Sequence, residues 1–406
     1  MIEPKILKGF RDFLPAEALN RQYVMDIIKK TFESYGFDPI ETPALEYLET
    51  FQGNIGEDER LFYKFEDYGG REVALRYDQT VPTCRFVAQY QHELAFPWKR
   101  YQIQTVWRAD KPQKGRYREF IQCDIDIFGL TSALADAETI AITINAYQNL
   151  GFKDFKVKIS DRALYAGIEY PVIVAIDKLA KIGRQGAIDK IISKGYSQTY
   201  AEETLARLAN LEPNDTLKTI FDYLDKSGFD AKHYEFDRNM ARSFSYSTGP
   251  IWEVEIVGFD SGSVGGGERY DQLVSRFSRN DIPGTGIAFG FDRTIEAMKE
   301  LDLLPHKSTV AQVLMTVFSP ETLAISLKFA NKLRQAGINV DTYTDTEAKL
   351  GKQLKYADKK TIPYVIIIGP EEESNNQAQI KNMHSGEQLT LDQTQVANWL
   401  KVSLDL

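Results

Sequence analysis

The most constraining stretch of this chain lies between Tyr101 and Phe128. YQIQTVW reads as a strand, RYREFIQCDIDIF alternates in side-chain character from Arg116 to Phe128, and DKPQKG between them has the composition of a loop, so the pair predicts an antiparallel hairpin. Alternation puts Ile121, Cys123, Ile125 and Ile127 on one face and Arg118, Phe120, Gln122, Asp124 and Asp126 on the other. The first face suits a core. The second carries an aromatic ring, an amide and two carboxylates, and suits the floor of a site for a ligand with a planar ring and an ammonium group. Charge gathers here against the trend of the whole molecule. Lys99, Arg100, Arg108, Lys111, Lys114, Arg116 and Arg118 face one acid, Asp110, in a chain whose net charge is -9. Guanidinium forks at the mouth of a hairpin can clamp phosphates. The bland reading is an exposed hairpin laced with salt bridges.

A second segment favours the ligand site. GTGIAFGFDR, Gly284 to Arg293, places three glycines ahead of an arginine at a strand-to-helix junction, where backbone approaches a ligand closely and the arginine reaches a phosphate. It is neither a GxGxxG fingerprint nor a GxxxxGK[ST] loop, so a dinucleotide fold and a P-loop are both unsupported. The four histidines, His92, His233, His306 and His384, sit in no nucleophile or metal motif. Cys84 and Cys123, in strand-like apolar contexts without CxxC spacing, indicate neither a disulfide framework nor zinc and fit a reducing cytoplasm. No apolar run approaches the length of a bilayer span, so the expectation is a soluble, cytoplasmic protein with no membrane partner. The acidic balance argues against sequence-independent coating of nucleic acid while leaving room for a local basic patch.

Elsewhere the pattern predicts a helix over Gln22–Tyr35 closed by Gly36, an extended FDPIETPALE, a strand over Leu75–Val81 and a helix from Ala133 to about Leu150. From Val172 to Lys232 helical spacing with few aromatics marks a helical insertion, after which extended structure resumes over Arg242–Ile256. Past Lys307, VLMTVF, a helix over Glu321–Gln335, INVDTY, a helix over Lys349–Lys360 and YVIIIG alternate strand with helix. That rhythm predicts a small α/β domain with a largely parallel sheet. Its helix Lys349–Lys360 carries Lys349, Lys352, Lys355, Lys359 and Lys360 as a basic stripe, in a domain that holds ten basic and eleven acidic residues.

Taken in order, KGFRDFLP, YGFDPIETPALE, LRYDQTVP, WRADKPQKGRYREFIQCDID, GGGERYDQLV and the glycines ending in Arg293 resemble the motifs of class II aminoacyl-tRNA synthetases, and within them the histidyl-tRNA synthetase family. The likeness extends through LRQAGI and GKQLKYADKKTIPYVIIIG to a late Lys381. It implies an α+β catalytic domain with a mostly antiparallel sheet (residues 1–170 and 236–306), a helical insertion (171–235) and a C-terminal α/β anticodon-binding-like domain (309–406). It also implies ATP-dependent activation of L-histidine to an aminoacyl-adenylate and transfer to tRNA(His), with Mg2+ accompanying ATP, no prosthetic group and no protein-bound metal. Phosphoryl transfer of this kind needs positioned cations more than a protein nucleophile. By motif position, Arg108, Arg242 and Arg293 would be catalytic, with Arg108 and Arg242 at the α-phosphate. Arg116 and Arg293 would hold the γ-phosphate end, Phe120 would stack on adenine, and Asp110 would stand near its amine. Gln122 and Asp126 would bind the ammonium group, while Asp78 and Thr80 would contact substrate, Asp78 as acceptor for an imidazole N–H. Arg242 and Tyr246 complete the amino-acid set. Lys111, Gln113 and Lys114 would face the tRNA acceptor end, and the spacing of Lys352, Lys355 and Lys359 along one helix makes that stripe a further expected tRNA-facing surface. A homodimer built on the segment around Pro43 and the preceding helix is implied too.

Five positions depart from the family pattern. RGLDYYTG reads here as RSFSYSTG, so Ser243, Ser245 and Ser247 replace glycine, aspartate and the second tyrosine, and their alternation would put all three on one face. Asp126 stands for a glutamate found in many relatives, and Glu268 for a glycine of GGGRYD. The loss of the second tyrosine touches imidazole binding, which leaves a second expectation beside the enzyme: an inactive, histidine-sensing regulatory paralogue. Such paralogues typically lack the C-terminal domain and have eroded ATP motifs, whereas Arg108, Arg116, Phe120 and Arg293 are all present here.

Overall fold

A computed structural model describes residues 1–53, 60–112, 115–241 and 246–405. The chain divides into two compact units, one of residues 1–12 and 24–304 and the other of residues 13–23 and 305–406.

The strands of the first unit are, in chain order, β1 (Asp38–Pro39), β2 (Leu45–Tyr47), β3 (Lys64–Glu66), β4 (Glu72–Leu75), β5 (Trp98–Trp107), β6 (Glu119–Phe128), β7 (Phe155–Asp161), β8 (Tyr234–Phe236), β9 (Pro250–Ile256), β10 (Gly265–Arg269) and β11 (Gly284–Gly290). Eight of them form a sheet in the order β1-β5-β6-β11-β10-β9-β7-β8, antiparallel except for the two edge pairs β1·β5 and β7·β8. β2, β4 and β3 make a separate small antiparallel sheet. The expected hairpin is there, ten residues a side, with Trp98 opposite Phe128 and Trp107 opposite Glu119.

Pleating sorts its residues as the alternation requires. Cys123, Ile125 and Ile127 are fully buried in a core shared with Ile287 and Phe289 of β11, Val254 of β9 and the helices Pro15–Ser34, Ala133–Asn149 and Phe291–Glu300. Each apolar side chain taken from water there contributes about 1.5–3 kcal/mol, which fixes the register: a slip of one residue would turn the carboxylates of β6 into this core.

Two readings needed correction in this unit. Leu75–Val81 is not one strand: β4 ends at Leu75, and a helix runs from Thr80 to Tyr90. A short apolar run does not distinguish strand from helix, and Pro82 sits in the first turn, where a helix tolerates it. Asp78 starts that helix by accepting the Val81 N–H (3.1 Å). Cys84 therefore lies in a helix and not a strand; both cysteines are buried free thiols. The helices between Tyr170 and Ala209 close over their own core of Val172, Ile176, Ile188, Ile191, Leu205 and Leu208. The next helix, Asp215–Lys226, instead buries Leu217, Ile220 and Leu224 in the core behind the large sheet.

In the second unit β12 (Val313–Met315), β13 (Val340–Thr342), β14 (Tyr364–Ile367), β15 (Gln377–Asn382) and β16 (Gln388–Asp392) form one sheet in the order β13-β12-β14-β15-β16. The first three are parallel; β15 and β16 are antiparallel additions, so the sheet is mixed where a largely parallel one was expected. β15 buries only Ala378 and Ile380, too weak a pattern to read in advance. The helix Leu350–Lys359 buries Gln353 and Ala357 and leaves Lys352, Lys355 and Lys359 exposed, as 100° per residue demands.

Candidate functional site

Opposite the helix-packed face, the large sheet carries a cleft of about 380 Å³. Its floor is β11, whose upward positions are Gly286, Ala288 and Gly290, so a trough runs between two walls. On one side β6 sets Gln122 beside Gly290 and Asp126 beside Gly286. On the other, β10 sets Gly266 beside Ala288 and Glu268 beside Gly286, and β9 adds Glu253 beside Gly266. A Cβ on Gly286 would collide with the Asp126 carboxylate and the Ile125 carbonyl. Glycine there is therefore required by Asp126 as much as by any ligand.

The open end of the hairpin supplies cations. Arg108 donates from Nε to the Tyr77 carbonyl (3.1 Å) and stacks its guanidinium over the Tyr77 and Phe120 rings at 4.3 and 5.3 Å. Arg293, in the first turn of the helix Phe291–Glu300, is aimed by the carbonyls of Gly115 (3.1 Å) and Ser263 (2.8 Å). Burial, then the like charge of Arg116 and, more weakly, of Arg108, pushes its guanidinium below the ordinary arginine value, a strain that an anion between them would relieve. Arg116 is half exposed and lies 3.9 Å from Asp110. The KGFRDF segment straps this end: Gly9 accepts the Arg118 N–H (2.9 Å), and Arg11 pairs with Asp292 at 2.6 Å while lying 3.2 Å over the Tyr117 ring.

Carboxylates occupy the far end. Burial raises Asp126, with Arg100 and then the Tyr270 hydroxyl pulling it back; both groups contact the carboxylate directly. Burial likewise raises Asp78, offset first by the Val81 N–H and then by the charge of Arg108. Glu268 is buried and accepts a hydrogen bond from the Ser247 hydroxyl. Asp78 lies between the two ends, within electrostatic reach of both Arg108 and Glu268.

Of the residues expected from sequence, Asp78, Thr80, Arg108, Asp110, Arg116, Phe120, Gln122, Asp126, Tyr246 and Arg293 all line this one cleft. Arg242, Ser243, Ser245, Gln113 and Lys114 lie outside the described residues. Lys111 is exposed at the hairpin loop. Arg100 was counted with the anion-binding charge; it stands on the same face as Asp126, directly opposite it, but is fully buried against that carboxylate. Lys99 is paired with Glu138 at 2.6 Å. Asp124 shares the polar face, opposite Gln102, yet is buried and does not line the cleft, and burial pushes its carboxyl well up. Gln122 and Asp126 were expected on one ammonium group, but they stand four residues apart on β6, about 13 Å at 3.3 Å per residue. Sequence reasoning missed Tyr270, Glu253 and Asp292 as lining residues, although Tyr270 stood inside a quoted motif. It also missed Arg76, buried and spending its guanidinium on Thr42, Pro43, Gln104 and Thr105, which ties the segment around Pro43 to β5.

Comparison with known proteins agrees with this geometry. Residues 9–170 match the family described as histidyl-tRNA synthetase, and residues 312–403 match the anticodon binding domain. A histidine–tRNA ligase of Cytophaga hutchinsonii is 38% identical, over 98% of this chain and 100% of its own length. One of Helicobacter acinonychis is also 38% identical, over 96% of each chain. The crystal structure of histidyl-tRNA synthetase from Nostoc sp. PCC 7120 superposes with a TM-score of 0.87 at 30% identity, covering 99% of this chain and 100% of that one. The apo enzyme of S. aureus, at 22% identity and a TM-score of 0.74, shares the fold.

Proposed function

The chain belongs to the histidyl-tRNA synthetase family, and from that premise we propose how its cleft carries out the ATP-dependent joining of histidine to tRNA(His). The observation that carries the reading is the polarity of the trough. Arg108, Arg116 and Arg293 stand at one end, Asp126 and Glu268 at the other, and the floor of Gly286, Ala288 and Gly290 runs between them.

A carboxylate oxygen of histidine attacks the α-phosphorus of ATP, the bond to the bridging oxygen breaks, and pyrophosphate leaves with the electron pair. The terminal ribose hydroxyl of tRNA then attacks the acyl carbon, loses its proton, and releases AMP. In the first step Arg108 holds the α-phosphate, where negative charge is redistributed, and Arg116 and Arg293 hold the departing pyrophosphate. Phe120 stacks on adenine, with Asp110 at its edge. Mg2+ arrives as part of the triphosphate substrate and neutralises charge there.

The ammonium and carboxylate of an amino acid share one carbon, so the ammonium acceptors must lie close to Arg108. Gln122 and Asp78 meet that condition: Arg108 donates to the carbonyl of Tyr77, on one side of Asp78 (3.1 Å), and Gln79, on its other side, donates to the Gln122 carbonyl (3.0 Å). Thr80 stands beside them on the cleft wall. The side chain of histidine then extends along the trough towards Asp126. A histidine-sensing regulatory subunit is not favoured, since the curated relatives matched from end to end are histidine–tRNA ligases.

The exposed row Lys352, Lys355 and Lys359 is our candidate for the tRNA contact of the second unit, although Lys352 also pairs with Asp345 (3.0 Å). Leu45, Tyr47 and Phe65, apolar and exposed on the small sheet next to Pro43, support a homodimer through that face. The buried thiols suit the reducing cytoplasm. Charging of tRNA(His) with labelled histidine tests the assignment: the triple variant Lys352→Glu/Lys355→Glu/Lys359→Glu is expected to raise the KM for tRNA on the order of tenfold and flatten its salt dependence. ATP–pyrophosphate exchange, which needs no tRNA, stays as it was. An unchanged KM for tRNA would remove the stripe from the contact.

A further inference from the structure

Two of the departures noted in the sequence meet at one point in the structure. Ser247, where the family pattern has tyrosine, donates its hydroxyl to Glu268, where the pattern has glycine. Neither residue is near the other in sequence, and both are buried in the cleft wall.

Their position is set by register. Arg100, Asp126, Gly286 and Glu268 stand side by side on β5, β6, β11 and β10, all on the cleft face. Two strand spacings of about 4.8 Å put the backbones of Asp126 and Glu268 about 9.6 Å apart, with only a glycine between them. That gap accommodates a flat ring whose edges meet a carboxylate on either side.

The two carboxylates are not equivalent. Asp126 has one oxygen against the Arg100 guanidinium and the other against the Tyr270 hydroxyl, so its shape and charge are already committed to the wall. Glu268 is oriented by Ser247, and it is longer by one methylene, which carries its oxygens further over Gly286. Tyr246 and Tyr270, edge to face with ring centroids at 6.4 Å, close the end of the trough beside it. Among the described residues, Asp78 and Arg162 lie within electrostatic reach of Glu268 from neighbouring elements.

We propose that Glu268, held by Ser247, is the residue that reads the substrate ring by accepting an imidazole N–H, in place of the Asp78 assignment made from sequence. This rests on the reading of the cleft as a histidine-activating site. Tyrosine and glycine have been exchanged for serine and glutamate, so a carboxylate and its orienting hydroxyl do the work that the pattern gives to a phenol.

The test is ATP–pyrophosphate exchange by the full chain, with KM measured separately for histidine and ATP. Histidine is compared with 2-thiazolylalanine, whose ring has the same shape but no N–H. Glu268→Gln is expected to raise the KM for histidine about 10- to 100-fold, the weight of a hydrogen bond to a charged acceptor, with the KM for ATP unchanged. The preference for histidine over the thiazole should fall at least about tenfold, because a carboxamide can also donate to the thiazole nitrogen. A purely structural role would not move that ratio. Unchanged KM and unchanged preference would overturn the assignment. Should Glu268→Gln fail to fold, Ser247→Ala decides: a KM for histidine raised about threefold or more supports the proposal, and an unchanged one overturns it. No exchange with histidine in the unsubstituted protein would overturn the activity itself, an outcome distinct from an unresponsive Glu268.

Discussion

Arg108→Ala lowers histidine-dependent ATP–pyrophosphate exchange about 100- to 1000-fold, equivalent to about 3–4 kcal/mol of lost transition-state stabilisation. The expectation follows from how this guanidinium is held. It is fixed before substrate arrives by the Tyr77 carbonyl and by the faces of Tyr77 and Phe120, so no side-chain entropy is lost when the phosphate binds. The effect falls mainly on kcat, because charge on the reacting phosphorus is redistributed only in the transition state. Arg108→Lys keeps the charge, loses the fork, and should recover part of the rate. Arg116→Ala is the contrast: a half-exposed side chain that reaches Asp110 only at 3.9 Å should raise the KM for ATP and lower kcat much less than Arg108→Ala does. Steady-state exchange kinetics on the three variants check the ordering, and equal effects at Arg108 and Arg116 would contradict it.

Asp136→Ala is expected to destabilise the first unit by about 3–5 kcal/mol, as breaking a buried ion pair does. Asp136 is fully buried at the start of the helix Ala133–Asn149 and accepts from Nε and Nη2 of Arg269, at 3.1 and 2.7 Å, and from the Thr285 hydroxyl at 2.6 Å. One carboxylate thus ties that helix to β10 and β11, the two strands that carry Glu268 and the glycine floor. Removing it leaves a guanidinium and a hydroxyl inside the protein short of their principal acceptor.

The pH dependence carries the opposite sign from that of an ordinary salt bridge. Burial pushes Asp136 from 3.8 up to about 6, with Arg269 and Thr285 pulling the other way, so the folded protein holds this proton more tightly than the unfolded chain. The contribution of Asp136 to stability therefore falls as pH rises from about 4 to about 6 and is level above that. Denaturant titrations across the window should show a decline to which Asp136 contributes beside the other buried carboxyls Asp78, Asp124 and Asp126, and Asp136→Asn should make it shallower. A slope unaltered by Asp136→Asn would contradict the account.

Much of the cleft could be read from sequence because its residues sit on regular strands. Period-two alternation told Gln122 and Asp126 from Cys123 and Ile125 without any structure, and glycine spacing located the floor. The count of local charge misled at Arg100, since it does not show which side chains reach solvent and which are covered by a neighbour such as Asp126. Separation along a strand was also invisible to motif matching. Gln122 and Asp126 belong to one motif, yet their backbones stand about 13 Å apart along β6. Glu268 appeared only as a departure, because its meaning depends on Ser247, a residue 21 positions away that register brings to it. The helix beginning at Thr80 was hidden because its first turn is made by Asp78 and Pro82 in a run too short to show a period.

The central claim is that this trough activates histidine, and ATP–pyrophosphate exchange by the purified chain, supplied with each of the twenty amino acids in turn, tests it most directly. The account predicts ATP-dependent exchange with histidine and with no other amino acid. Exchange with a different amino acid, or none at all from a folded protein that still binds ATP, would contradict it.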